Sequence, residues 1–205
     1  MLPITELEIR AALLGVLEMS GKNDSLLIEE LAVERGNARI DVAMVCDRLM
    51  GFEIKSDLDT LDRLSNQIHA YNRVFDEITL VAGREFIRVA PNVIPSWWGL
   101  IEARRDTHGT VTLTTIRSPV LNHNQNPHSL ASLLWKDEAV DLLQQHCATL
   151  ALPHWSKTKI YDLLAQSITK DEIKSWVATK LKSRTTWRNS APSTLDDDLL
   201  HRVAM

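Results

Sequence analysis

Two short runs in the first third of the chain constrain the fold more than any other feature. Arg39-Ile40-Asp41-Val42-Ala43-Met44-Val45 and Gly51-Phe52-Glu53-Ile54-Lys55-Ser56-Asp57 are apolar and carry several β-branched residues. A tight connection at Asp47-Arg48-Leu49 separates them. Such a pair reads as two strands of a hairpin. Each strand interrupts its apolar pattern with charge. Glu53 and Lys55 are two apart and so share one strand face. In a hairpin Asp41 falls on that same face. Two carboxylates and an ammonium then converge at one edge of a sheet. Burying them is costly unless they pair with one another or with a metal. The bland alternatives are a solvated charged face or a structural Lys55–Glu53 pair.

The flanking pieces continue the pattern. Residues 4–19 place Ile9, Leu13, Val16 and Leu17 at helical spacing, which predicts an amphipathic helix. Leu26-Leu27-Ile28-Glu29-Glu30-Leu31-Ala32-Val33 reads as an acid-bearing strand, with Arg35-Gly36-Asn37 as the hairpin turn after it. Residues 58–75 read as a helix through Leu58, Leu61, Leu64, Ile68 and Tyr71, with Ser56 or Asp57 as N-cap. Gln67 and Tyr71, four apart, share a face of it. Glu77–Ala82 is a strand stopped by Gly83.

With these residues in hand, the chain resembles the PD-(D/E)XK nuclease superfamily. The matching order is an acid at Glu30, then Asp41, Glu53-Ile54-Lys55 and Gln67-x-x-x-Tyr71. The Q-x-x-x-Y helix marks its RecB-like branch. The resemblance covers residues 5–85. It implies a restriction-endonuclease-like α/β (α+β) core of helix, three strands, helix, strand, and a metal-dependent nuclease. Asp41, Glu53, Lys55, Gln67 and Tyr71 are then the catalytic set. Glu30, Asp41, Glu53 and the Ile54 carbonyl would hold Mg2+ or Mn2+, because carboxylate oxygens are the ligands these ions prefer. Strand parity alone does not choose between Glu29 and Glu30. Phe52-Glu53-Ile54-Lys55-Ser56-Asp57, Asp59-Thr60-Leu61-x-Arg63-Leu64, Pro95-x-Trp97-Trp98-Gly99 and Leu134-Trp135-Lys136-x-Glu138 also resemble a bacterial family built on that core, for which no substrate is established.

Further on, Ile87–Ile94 reads as a short extended segment limited by Pro91 and Pro95. Residues 98–103 and 110–116 read as a hairpin around Asp106–Gly109. Trp97 and Trp98 read as core cover rather than a stacking platform. Residues 128–149 predict one helix, and 156–166 and 170–184 two more, with Thr169 as N-cap and Glu172 at N3. That last pair is compatible with a helix-turn-helix. The division that follows is a nuclease core at 1–90, a hairpin and loop at 91–127, a basic helical region at 128–188 and a loosely held tail at 189–205.

Composition enters through charge. The net charge is −4, so no broad basic surface traps polyanions generically. Residues 156–188 nevertheless hold eight Lys and Arg against three acids. Lys157, Lys159, Lys180, Lys182 and Arg184 are the candidates for nucleic-acid contact, with DNA the first partner and RNA the second. Cys46 and Cys147 are far apart and form no C-x-x-C, which fits reduced thiols in a cytoplasm. Exposed charge suits His69 better than a metal does. No apolar run approaches the roughly 20 residues that span a bilayer. The competing function classes are a catalytically inactive nucleic-acid- or protein-binding module on the same fold, and a structural or regulatory subunit that docks protein or a second copy through 156–188.

Overall fold

The computed structural model describes residues 3–20, 24–60, 62–146 and 155–184. The runs richest in β-branched residues form one open, mixed sheet of six strands in the order β1-β2-β3-β4-β5-β6. They are β1 (Leu26–Val33), β2 (Ala38–Val45), β3 (Leu49–Lys55), β4 (Glu77–Ala82), β5 (Gly99–Arg105) and β6 (Val111–Arg117). β1–β2 and β2–β3 pair antiparallel, as short connections require. β3–β4 and β4–β5 are parallel and so need crossover helices. The β5–β6 hairpin continues this sheet rather than forming a separate unit.

Helices cover both faces. α1 (Glu6–Ser20) lies on one face, where Ile9, Leu13 and Leu17 pack on Val42, Phe52, Ile54 and Val81. The other face is covered by α2 (Leu64–Asn72), α3 (Arg84–Val89), α4 (Pro127–Ala131), α5 (Lys136–His146), α6 (Lys157–Ser167) and α7 (Lys170–Ser183). Leu80, Leu100, Trp98, Phe75 and Tyr71 are at the heart of that larger core. Gly51 lets β3 pass close beneath Phe75, since a Cβ there would lie 3.1 Å from the ring and the ring would have to shift by a few tenths of an ångström. Among the described residues no helix is long and apolar enough to cross a membrane.

Three expected elements differ, each for a local reason. The helix expected over 58–75 starts only at Leu64. The Asp59 carboxylate accepts the Ser56 N–H at 2.7 Å and hydroxyl at 2.6 Å, and Thr60 donates to Asp62. These side-chain bonds hold turns against helix. Asp57 is therefore no N-cap; it accepts the Ile4 N–H at 2.9 Å and ties the start of the chain to the end of β3. The segment expected to be extended over 87–94 is α3 followed by a 3-10 turn at Ala90–Asn92. Pro91 opens that turn, where its fixed φ is already suitable. The helix expected over 128–149 breaks into α4 and α5, the Trp135 N–H passing to the Glu138 carboxylate at 2.8 Å to start the second. Residues 147–149 and the expected tail lie outside the described residues.

The C-terminal helices form as the sequence indicates, with a capping box between Thr169 and Glu172. A buried carboxylate locks them to the sheet. Asp76, 1% exposed, accepts the Leu49 N–H at 2.8 Å, the Gln125 amide at 2.6 Å and the Lys174 ammonium of α7. Lys174→Met leaves that charge buried without a counter-ion. We expect a loss of up to about 3 kcal/mol in urea unfolding. Lys182→Met removes a partner from the exposed Asp24 and should leave the midpoint unchanged. Equal effects of the two substitutions would show that Asp76 does not lock α7 to the sheet.

Candidate active site at the splayed end of the sheet

β2 and β3 are paired only from Val42 and Phe52 to Val45 and Leu49. Beyond that point they diverge, while β3 stays paired to β4 as far as Lys55. The opening exposes the Ile54 N–H on the β2 side. A backbone donor in such a place must find an acceptor. Asp41 supplies it: Oδ2 accepts the Ile54 N–H at 2.6 Å. The residue before the paired part of β2 is thus fastened to the centre of the E-x-K strand.

Glu53 projects from β3 toward α2 and is 1% exposed. Its Oε1 accepts from Lys55 Nζ at 2.6 Å and from Gln67 Nε2 at 2.7 Å. Its Oε2 faces the Tyr71 hydroxyl at 2.8 Å. Glu53, Lys55, Gln67 and Tyr71 therefore converge as expected. The four-residue helical spacing and the two-residue strand spacing meet at one carboxylate. The Tyr71 oxygen also lies within hydrogen-bond reach of the Arg39 carbonyl. One hydroxyl proton faces two acceptors, so Tyr71 couples the Glu53 carboxylate to the start of β2. Gln67 Oε1 is buried without a partner among the described residues.

The first acid comes from a strained point. Glu30 and Asp41 fall between the Glu29–Val42 and Leu31–Ile40 pairs of the β1–β2 register, and Glu30 has φ 56, the left-handed region. Regular alternation is reset there: Ile28 and Leu31, three apart, both enter the α2-side core. Glu30 and Glu29 both turn to a residue not anticipated from sequence, Arg10 of α1. Its guanidinium contacts Glu30 at 2.6 Å, Glu6 at 2.5 Å, Asp41 Oδ1 at 3.3 Å and Glu29 at 3.5 Å. It also donates to the Asp41 backbone carbonyl at 2.9 Å. The carboxylates of Glu6, Glu30 and Asp41 all lie within 4.8 Å of one another. Glu30 rather than Glu29 belongs to this group. A signal was present: Arg10 sits in the Leu13–Leu17 stripe of an amphipathic helix, where a buried cation demands acids.

The expected ligand set is therefore divided. Glu30 and Asp41 meet at Arg10, and Glu53 is held on the α2 side. Ile54 gives its N–H to Asp41. The site is short of positive charge. Burial first, and the Glu53 charge second, push the Asp41 carboxyl up to about 7, against the Ile54 N–H and Arg10. Burial likewise raises Glu53, against Lys55. A desolvated pair of hard oxygen donors with surplus negative charge suits a divalent cation.

The expected nucleic-acid residues fare unevenly. Arg184 is buried and forked onto Glu138 and the Leu133 carbonyl, so it does not line a surface. Lys180 meets Asp141 at 3.4 Å and Lys182 meets Asp24 at 2.7 Å. Lys159 is exposed and lies 3.8 Å over the Trp155 ring; Lys157 opens α6. His69 is exposed, and Cys46 is a free, partly exposed thiol. Cys147 lies outside the described residues.

The chain matches the model of the family described as Bacteriophage P4 protein cII over residues 3–195, and it belongs to that family. It is 28% identical to Protein cII of Enterobacteria phage P4 over 182 residues, which is 88% of this chain and 68% of that protein. No solved structure matches.

The Asp41 shift fixes a pH dependence. Unfolded, an aspartate ionises near 3.9; folded, this one ionises near 7. The folded chain holds the extra proton between those values, so stability falls as pH rises through that window and is flat above it. The fall is about 4 kcal/mol at most. Urea midpoints in chelator from pH 4 to 8 should show it, and Asp41→Asn should lessen it, leaving the part that the raised Glu53 contributes. An unchanged slope in Asp41→Asn would remove Asp41 as the source.

Proposed function

We propose that this member of the phage P4 cII family is a divalent-metal-dependent nuclease that hydrolyses DNA phosphodiester bonds on a restriction-endonuclease-like core. One observation carries the reading. Asp41, Glu53 and Lys55, with Gln67 and Tyr71, come from three separate elements, β2, β3 and α2, and meet where two strands part. The element order supports it too: helix α1, the antiparallel β1–β2–β3 meander, helix α2, then parallel β4. The open end lies at the carboxyl ends of the parallel strands, the usual place for ligands in such sheets. Mg2+ or Mn2+ is the proposed cofactor.

Glu30, Asp41 and Glu53 would hold the ion. It would supply a nucleophilic water and neutralise charge building on the phosphate. The chain's own groups do the rest. Lys55 balances phosphate charge beside Glu53 and orients the attacking water or takes its proton. Gln67 and Tyr71 fix the Glu53 carboxylate so that its oxygens face the opening in one orientation. The Tyr71 proton can move its bond between Glu53 and the Arg39 carbonyl as the charge on Glu53 changes. Asp41, with a carboxyl that titrates near 7, is ready to exchange its proton for a cation at neutral pH.

A second reading rests on Arg10. Its guanidinium already lies among Glu6, Glu30 and Asp41, and both Glu53 oxygens already have partners. A chain with its cluster filled from within could bind nucleic acid or protein without cleaving it. The two readings part in one assay. Purified protein is incubated with linear, circular and single-stranded DNA, and with RNA, in Mg2+, Mn2+ or chelator. Cleavage is expected with metal only. Asp41→Asn, Glu53→Gln and Lys55→Met should each lower it by roughly 10²–10⁴-fold, with the fold verified by circular dichroism. Wild-type protein that cuts none of these substrates would leave the binding module standing, and three folded variants of full activity would show that the cleavage arises at another site.

A further inference from the structure

Arg10 is the most heavily engaged side chain at the site, and the proposed mechanism gives it nothing to do. It is 9% exposed, and its guanidinium meets four carboxylates and one carbonyl. An arginine on an otherwise apolar helical stripe is expensive to bury and cannot shed its charge. The chain also bends to reach it. Glu30 takes a left-handed conformation, unusual for a residue with a side chain. Its carboxylate then meets the guanidinium at 2.6 Å beside Asp41. Arg39 serves as the contrast. It meets the same Glu30 carboxylate at 3.8 Å, is half-exposed, and bridges nothing to Asp41.

We infer that Arg10 is a positioning residue that stands in for the divalent cation in the free chain. It joins Glu30 to Asp41, cancels part of their repulsion and keeps the pocket shaped while no ion is bound. The inference rests on the reading of Glu30 and Asp41 as cation ligands. Exchange follows from the charges. A divalent ion taken by Glu30 and Asp41 replaces a single positive charge by two. Arg10 then loses those carboxylates and keeps Glu6 and the Asp41 carbonyl as its anchor. Its freed donors suit an oxyanion, and a phosphodiester is the oxyanion that the proposed reaction brings. Metal uptake and substrate docking are thereby coupled: either one releases what the other needs. The free chain should accordingly hold metal weakly until a phosphate arrives.

The test is Mn2+ binding by full-length protein, without nucleic acid, by calorimetry at fixed pH and ionic strength. Arg10→Gln removes the bridging charge and keeps a donor for the Asp41 carbonyl. Its Mn2+ Kd should fall at least tenfold below the wild-type value. Arg39→Gln removes the same charge from the same acid without the bridge, and its Kd should stay within about threefold of wild type. Adding Asp41→Asn to Arg10→Gln should abolish the gain. Arg10→Lys, which keeps the charge but not the fork, serves if the glutamine variant does not fold, and should tighten Mn2+ at least threefold. Equal or weaker binding in the folded Arg10 variant overturns the inference. An equal gain in Arg39→Gln also overturns it, because general charge would then account for everything. A chain that gains Mn2+ affinity on losing Arg10 but cuts no nucleic acid keeps this inference and loses the nuclease reading. A chain that cuts with Mg2+ and gains no affinity does the reverse.

Discussion

The bond between the Asp41 carboxylate and the Ile54 N–H determines the geometry of everything near it. A sheet cannot open without leaving backbone donors unpaired, and an unpaired buried donor costs about as much as the hydrogen bond it lacks. Asp41 removes that cost at the position where β2 leaves β3. The carboxylate is thereby desolvated and placed against Glu53. Its proton affinity rises for that reason, not through any separate device. The opening, the acid pair and the shortage of positive charge are consequences of one strand divergence closed by a side chain.

Two cations answer that shortage from opposite sides of the sheet. Lys55 reaches Glu53 on the α2 side, where Gln67 and Tyr71 complete the shell. Arg10 reaches Glu30 and Asp41 from α1. Asp41 links the two: it accepts from Arg10 and from the N–H of Ile54, the residue next to Glu53. That placement gives Asp41 two roles. It closes the β2–β3 gap, and it is the carboxylate through which the Glu53 shell and the Arg10 cluster feel each other.

Much of this was legible in the residues, and the part that was not has a physical reason. The six strands follow from β-branched runs and their turns. The convergence of Glu53, Lys55, Gln67 and Tyr71 follows from spacings of two and four on adjoining elements. Spacing could not show that Glu30 adopts a left-handed backbone and resets the pleat, which is what settles Glu30 over Glu29. Nor does periodicity distinguish an arginine snorkelling from α1 from one buried beneath it. The late start of α2 is another case. Ser56, Asp59, Thr60 and Asp62 make local bonds that compete with helix, and the apolar spacing of Leu58 and Leu61 gives no hint of that competition.

The basic region shows how a charge count overstates the unpaired charge on a surface. Eight cations against three acids over 156–188 read as a docking surface. In the fold Lys174, Lys180, Lys182 and Arg184 each face an acid elsewhere, at Asp76, Asp141, Asp24 and Glu138. Those pairs draw α7 onto α5 and onto the far end of the sheet. Their charge is spent inside the molecule, so little of it is left to attract phosphate from a distance. A chain with net charge −4 that nonetheless acts on a polyanion has to gain attraction locally. The splayed end offers Lys55, Arg39 and Arg10 within one strand opening, each facing a carboxylate. On the proposed nuclease reading, recruitment of phosphate and release of those cations would be one step, with affinity residing at the site rather than on a basic face.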